Sequence, residues 1–132
     1  RGVAVSDLDG DGKLDAVINS MDSNPVILKN VINSSAHWLS LKLIGDTARK
    51  TPKDAIGSCV FVTTGTLRQR FDVISGASYA SNNDQTVHIG FGAATKIDKL
   101  EIVWADGQTE IVPIDKIDTN LVIKQGVGIS NK

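Results

Sequence analysis

The sequence of 132 residues contains one cysteine and few aromatic residues. One cysteine cannot form an internal disulfide, so no disulfide framework can hold this chain together. Aromatic residues account for 5% of the sequence, which leaves Val, Ile and Leu to fill a core. No apolar run approaches the ~20 residues that a transmembrane helix requires. Hydrophobic residues still reach 41%, enough for one packed domain.

A dominant charge of one sign is also missing. Fourteen Lys and Arg residues are scattered among 15 Asp and Glu residues, for a net charge of -1. Because nucleic-acid-binding proteins cluster basic residues on one face, no nucleic-acid partner is expected. The chain begins with Arg1 and shows no charged-then-apolar leader. We interpret it as a piece of a larger protein, trimmed at its front, from which any targeting signal would be lost.

The cysteine, Cys59, lies in the segment IGSCVFV next to Val60 and Val62. An unpaired cysteine among apolar residues behaves as a small hydrophobic side chain. The segment therefore predicts a buried, inert cysteine in a strand rather than a nucleophile.

Alternation of apolar and polar residues predicts strands along most of the chain. In HWLSLKLIG, residues 37–45, three leucines share one face; LRQRFDVI, TVHIGFG and TNLVIKQG alternate similarly. No stretch of ten or more residues has a convincing 3.6-residue apolar period. Many short strands separated by turns predict an all-β fold, an antiparallel β-sandwich.

The segment KLEIVWADGQTEIV, residues 99–112, predicts a β-hairpin. Asp106-Gly107 is typical of a two-residue type I′ turn between apolar runs. This turn would place Trp104 opposite Thr109 and Ile102 opposite Ile111, with Trp104 in the core.

Four aspartates fall within nine residues in the segment SDLDGDGKLDA, residues 6–16. Carboxylates at loop positions 1, 3, 5 and 9, with a backbone carbonyl at position 7, can surround one cation. Ligands made only of oxygen atoms favour a hard cation, and five or more of them suit Ca²⁺ better than Mg²⁺. The predicted calcium ligands are Asp7, Asp9, Asp11, the Lys13 carbonyl and Asp15.

The surrounding sequence does not fit an EF-hand, whose twelfth loop position is a bidentate Glu. Ile18 occupies that position here, and both flanking segments have the character of strands. We therefore expect a calcium-loop β-hairpin in front of the sandwich, with Leu8 and Leu14 turned back to anchor the loop. The alternative is an Asp-rich turn that is merely solvated.

Two groups of motifs resemble known families. VAVSDLDGDGKLDAVI and NPVILKNV resemble the FG-GAP or VCBS repeat, the blade unit of integrin-α-type β-propellers, whose Asp-rich loops bind calcium. DAIGSCVFV, HIGFG and IVWADGQTEIV resemble the ASPIC/UnbV domain, a C-terminal module found after FG-GAP repeats in bacterial secreted proteins and in animal cartilage acidic protein. The resemblance implies calcium ligation by Asp7, Asp9, Asp11 and Asp15.

The resemblance divides the chain into residues 1–33, an FG-GAP/VCBS-like repeat fragment, residues 34–126, an ASPIC/UnbV-like β-sandwich, and residues 127–132, a tail. One repeat cannot build a propeller, and an isolated hairpin is marginal in water. The hairpin must therefore pack on the sandwich or on a partner chain.

The function that follows is a non-catalytic, calcium-binding interaction or adhesion module at the C-terminal part of a larger FG-GAP repeat protein. Its location would be extracellular, at the cell surface or periplasmic. Its partners would be the preceding propeller repeats and an extracellular protein or glycan.

The alternative is a carbohydrate-binding β-sandwich that uses the loop GASYASNNDQ, with Tyr79, Asn82, Asn83 and Asp84. An enzyme is not expected, because the sequence has no G-x-S-x-G, H-E-x-x-H or P-loop motif.

Overall fold

The computed structural model describes residues 2–130, and nearly all of its regular structure is β-strand. Helix is limited to one 3₁₀ turn at Thr47–Arg49. The predicted all-β class is therefore confirmed. The strands are β1 Gly2–Ser6, β2 Asp15–Asn19, β3 Val26–Leu28, β4 Trp38–Ile44, β5 Cys59–Thr64, β6 Leu67–Asp72, β7 Val87–Gly90, β8 Lys99–Val103, β9 Thr109–Ile111, β10 Thr119–Lys124 and β11 Gly128–Ile129.

The described strands form three open sheets and no closed barrel. Their orders are β1-β2-β3, β11-β10-β4-β7 and β6-β5-β8-β9. The second and third sheets face each other across a shared apolar core, as in a β-sandwich. The core side chains come from alternate positions of both sheets: Leu39, Leu41, Leu43, Val60, Val62, Val87, Ile89, Leu100, Ile102 and Ile123, with Ala55, Val73, Phe91, Trp104 and Val112 from adjoining segments.

The pair β4–β10 is parallel, whereas the other strand pairs among the described residues are antiparallel. The expectation of a purely antiparallel sandwich is therefore corrected at this pair. Alternation along a strand reports which residues are buried but not the direction of the neighbouring strand. The last long strand returns beside β4, with Leu121 opposite Leu41 and Ile123 opposite Leu43.

The β8–β9 hairpin differs from its predicted register by one residue. Val103 lies opposite Thr109, and Glu101 lies opposite Ile111. The Trp104 N–H donates to the Gln108 carbonyl at 2.8 Å, and the only left-handed glycine of the turn is Gly107, at φ +85°. This pattern matches a three-residue loop with a glycine bulge, not the two-residue type I′ turn. The prediction of Trp104 opposite Thr109 and Ile102 opposite Ile111 is therefore wrong.

The shift has a visible consequence because one residue of register moves side chains to the opposite face. Ile111 is 63% exposed, and Val112 takes the buried position next to it. Trp104 keeps its predicted place in the core at 1% exposure.

Cys59 lies on the outer face of β5. Val60 and Val62 are fully buried, and Cys59 alternates with them, so its side chain is turned outward and only half-buried. The prediction of a buried core cysteine is wrong, because a residue beside two core valines in a strand points away from them.

The first sheet packs on the sandwich through β1. The Val5 N–H donates to Asn83 Oδ1 at 3.0 Å, and the Asp84 N–H donates to the Val5 carbonyl at 3.1 Å. The Ser6 hydroxyl donates to Asp84 Oδ2 at 3.2 Å. The hairpin was expected to pack on the sandwich or on a partner chain, and in the structure it packs on the sandwich.

The predicted C-terminal tail contains a short strand. Gly128–Ile129 forms β11 and pairs with β10, while residues 131–132 lie outside the described residues. Nowhere in residues 2–130 is there a helix of the length and apolarity needed to span a membrane.

Replacing Trp104 by alanine should lower the free energy of unfolding by ~3–5 kcal/mol, because a fully buried ring would leave a cavity. Ile111→Ala is the matched control and should change it by less than ~0.5 kcal/mol, because that side chain is exposed in the observed register. Urea unfolding of both variants measures the difference. A large loss for Ile111→Ala would support the two-residue turn and contradict the observed register.

Candidate metal centre

The β1–β2 connection folds around the carboxylate of Asp7. Its Oδ1 accepts hydrogen bonds from the N–H groups of Gly10 and Asp11, at 2.8 and 3.1 Å, and its Oδ2 accepts one from Gly12 at 2.8 Å. Gly10 and Gly12 adopt φ values of +76° and +84°, a conformation that glycine reaches without strain. The two glycines therefore let the chain curl tightly around one anionic group.

Three of the predicted ligands converge at this loop. Asp7, Asp9 and Asp15 each offer a carboxylate oxygen, and these oxygens lie within 4.8 Å of one another. Since Ca²⁺ takes oxygen ligands at about 2.3–2.6 Å, ligands on opposite sides of the ion are about 4.6–5.2 Å apart. The spacing and the chemistry of these donors therefore fit a calcium ion.

Asp15 is the most firmly held member of this cluster. It begins β2 and is only 4% exposed. Its Oδ2 accepts the Leu8 N–H at 3.1 Å, and its Oδ1 accepts the Asn30 N–H at 2.8 Å. A carboxylate oxygen has more than one acceptor site, so these hydrogen bonds leave room for a cation.

Asp11 is turned toward Lys13 rather than toward the other three aspartates. Its Oδ2 accepts from the Lys13 ammonium group at 2.7 Å, and its Oδ1 accepts the Lys13 N–H at 2.9 Å. The side-chain hydrogen bond, with the backbone one, lowers the pKa of Asp11 below its ordinary value. Calcium ligation by Asp7, Asp9, Asp11, the Lys13 carbonyl and Asp15 stays a prediction.

Lys29 is a member of the site that the sequence analysis missed. Its ammonium group forms an ion pair with Asp9. The hydrogen bond to Asp9, and then the charge of that carboxylate, raise the pKa of Lys29. No local spacing could reveal this contact, because the pairing of β3 with β2 brings Lys29 to the loop. The ammonium group of Lys29 thus pairs with one of the three converging carboxylates.

The loop is not anchored by its leucines. Leu8 and Leu14 both remain exposed, so the prediction that they turn back to the apolar side is wrong. Instead, Gly12 lies directly on the indole ring of Trp38 at the start of β4. The loop rests on this ring through its backbone, which leaves both leucines toward solvent.

A second polar cluster lies beneath β1. The Ser40 hydroxyl is 3.2 Å from His88 Nδ1, and His88 Nε2 is 3.7 Å from Asp84 Oδ2. Partial burial works to raise the pKa of Asp84, but hydrogen bonds from Thr86 and Ser6, with the nearby His88, lower it overall. These residue types also occur in hydrolase triads, but Ser40 is 1% exposed, so its hydroxyl is out of reach of a substrate.

Three of the four polar residues proposed for the glycan loop already accept hydrogen bonds from other residues of the protein. Asn82 Oδ1 accepts the Gly76 N–H at 2.9 Å, and the side-chain carbonyl oxygen of Asn83 accepts the Val5 N–H. Asp84 is committed to Ser6 and Thr86. Tyr79 is exposed but does not line the groove formed by the other three residues.

The motifs DAIG and WADG meet in the sandwich. The Ser58 hydroxyl accepts the Ala105 N–H at 3.1 Å, and a Cβ on Gly57 would lie 3.4 Å from that of Ala105. Ala55 is fully buried at a φ of +57°. Both motifs therefore form turns and core contacts.

The architecture is that of an all-β sandwich domain preceded by a short sheet with an acidic loop. The profile of the family described as "ASPIC and UnbV" matches residues 48–130, more than half of the chain. The chain belongs to this family. A search of the curated proteins found no match. The FG-GAP resemblance and the domain boundaries at residues 33 and 126 stay predictions.

Lys29→Ala should tighten calcium binding by about two- to fivefold, because the ion would no longer compete with an ammonium group at Asp9. Lys96→Ala removes the same charge from an ion pair with Asp98 in the sandwich and should leave the affinity unchanged. Calorimetric titration compares the two variants with the unaltered chain. Weaker binding by Lys29→Ala would show that Lys29 supports the site rather than competes for it.

Acid should destabilise the fold through Asp118. The hydrogen bond from His37 at 2.8 Å, and then the Trp38 N–H, lower the pKa of Asp118. Its stabilising effect is therefore full above the unfolded-state pKa of about 3.9 and is lost as the pH falls through the lower folded-state value. In chelator, the melting temperature of the chain should decrease as the pH is lowered below about 4. Asp118→Asn should melt lower at pH 6 and approach the unaltered chain near pH 3; a constant difference would contradict this role.

Proposed function

We propose that this chain is a non-catalytic, calcium-binding extracellular interaction module, the C-terminal part of a larger FG-GAP repeat protein. The convergence of Asp7, Asp9 and Asp15 within one short loop carries this proposal. Carboxylates that close repel one another, by about 1 kcal/mol per pair at 4 Å in water and about 4 kcal/mol at an effective dielectric of 20. A divalent cation removes that repulsion.

The first sheet supports the FG-GAP interpretation. It consists of three antiparallel strands, and the aspartate loop joins the first two, as expected for part of a propeller blade. The third strand, β3, lies at the edge of the sheet with all three of its apolar residues exposed, and Val31 and Ile32 extend this exposed segment. Exposed apolar segments of this kind mark interaction surfaces, and an open edge strand can pair with another strand. Preceding repeats of the parent protein are the proposed partner.

Two observations favour a non-catalytic role. The family motifs DAIG and WADG form turns that each place one residue, Ala55 or Trp104, in the core. The cluster of Ser40, His88 and Asp84 has a serine that solvent cannot reach.

An extracellular location is consistent with the affinity expected of the loop. A site without a bidentate Glu, with Asp9 already paired to Lys29, should bind calcium weakly, at ~10⁻⁴–10⁻³ M, as extracellular modules do. Such a site would fill only where calcium is abundant.

The carbohydrate-binding alternative would use a groove of about 790 Å³ beside β4. Its lining includes Lys42, Lys53, Asn82, Asn83 and Asp84. Most of the residues that line the groove are polar, but the side-chain carbonyl oxygens of both asparagines already accept backbone hydrogen bonds. A glycan array would favour this alternative if one sugar class bound and Lys53→Ala removed that binding.

Calcium should stabilise the chain, whereas Asp9→Ala should abolish the effect because one of the three converging carboxylates is lost. At ~100-fold above the dissociation constant, binding adds about 2.7 kcal/mol to the free energy of unfolding. Asp22→Ala is the control, since it removes the same charge from the β2–β3 connection of the same sheet. Thermal melting and calorimetry in calcium and in chelator measure the effect.

The calcium proposal fails if the unaltered chain melts at the same temperature in millimolar calcium and in chelator and gives no binding heat. Equal losses in Asp9→Ala and Asp22→Ala would instead indicate a general response to charge.

A further inference from the structure

The aspartate loop lies against the sandwich at Gly12. A Cβ atom built on Gly12 would overlap three atoms of the indole of Trp38: Cε2, Cδ2 and Nε1. The loop backbone therefore lies against the ring with no space for a side chain between them.

Trp38 is in turn fixed by the sandwich. It is the first residue of β4 and pairs with Gly90 of β7. Its N–H donates to Asp118 Oδ1 at 3.0 Å, and its carbonyl accepts the Asp118 N–H at 2.8 Å. Segments on both sides of β4 in the sheet, at Gly90 and at Asp118, thus hold Trp38 in place.

Gly12 also belongs to the candidate metal centre. Its N–H donates to Asp7 Oδ2 at 2.8 Å, so one residue joins a converging carboxylate to the indole ring. The residue before Asp7, Ser6, is bound separately to Asp84 of the sandwich. The loop is therefore held by the sandwich at two points, immediately before its first aspartate and at Gly12.

We infer that Trp38 is a positioning residue for the aspartate loop and couples order in that loop to the stability of the sandwich. A cation bound at the loop would then stabilise the whole chain, and unfolding of the sandwich would release the cation, because such coupling is reciprocal. The metal part of this inference rests on the proposed calcium site. The coupling of loop order to the sandwich does not.

A comparison of Gly12→Ala with Gly10→Ala tests the contact. Both glycines lie in the same loop at similar positive φ, so alanine is strained at either position. A Cβ on Gly10 would meet only Asn120 Nδ2, at 3.9 Å, whereas a Cβ on Gly12 would collide with Trp38. The two variants therefore share the backbone effect and differ in the contact with the ring.

In chelator, Gly12→Ala should increase amide hydrogen exchange in β1 and β2 and lower the melting temperature of the chain more than Gly10→Ala does. With calcium, calorimetry should give a dissociation constant at least about fivefold weaker for Gly12→Ala than for Gly10→Ala, the lower end of typical coupling between sites.

A double-mutant cycle with Trp38→Ala separates the ring contact from other effects of position 12. With the ring removed, the methyl group that Gly12→Ala adds has space. The difference between Gly12→Ala and Gly10→Ala should therefore largely disappear in the Trp38→Ala background. Persistence of the full difference in that background would assign it to loop strain and overturn the inference.

The outcomes for the two proposals are distinct. If the unaltered chain gives no calcium heat, the calcium site fails, and the chelator experiments alone decide the role of Trp38. If calcium binds but Gly12→Ala and Gly10→Ala behave alike in melting, exchange and affinity, the calcium site stands and the coupling through Trp38 is refuted.

Discussion

The parallel pairing of β10 with β4 is the constraint on which the rest of the molecule depends. It returns the end of the chain to the middle of one sheet and places Leu121 and Ile123 beside the leucines of β4. Asp118 starts this pairing at a φ of +53° through its hydrogen bonds with Trp38. The same contacts set the position of the indole on which the aspartate loop rests. Trp38, the first residue of β4, thus takes part in the sheet pairing and supports the aspartate loop.

The aspartate loop illustrates how a protein tolerates concentrated negative charge. Backbone N–H groups surround Asp7 and Asp15, and the ammonium groups of Lys13 and Lys29 neutralise Asp11 and Asp9. Such exposed ion pairs contribute little to stability, so a divalent ion can replace one of them at small cost. These contacts hold the loop together, and Asp7, Asp9 and Asp15 still offer three oxygens at a spacing suited to calcium.

Period-two patterning predicted the class of fold and most of the core, because burial on one face of a strand leaves a direct mark on the sequence. Leu39, Leu41 and Leu43 lie where the pattern placed them. The pattern did not predict the direction of β10 or the register of β9, which depended on a three-residue rather than a two-residue loop. The burial predicted for Cys59 is a different error, since alternation along β5 puts its side chain on the face away from the buried Val60.

The sequence by itself determined the all-β class, the family signature and the presence of closely spaced carboxylates, since each depends on residues near one another along the chain. Tertiary structure decided which groups surround these carboxylates, because the pairing of β3 with β2 brings Lys29 to Asp9 and Asn30 to Asp15. It also placed Trp38 beneath Gly12. The contacts of Lys29, Asn30 and Trp38 join segments more than ten residues apart, and only strand pairing and packing bring such segments together.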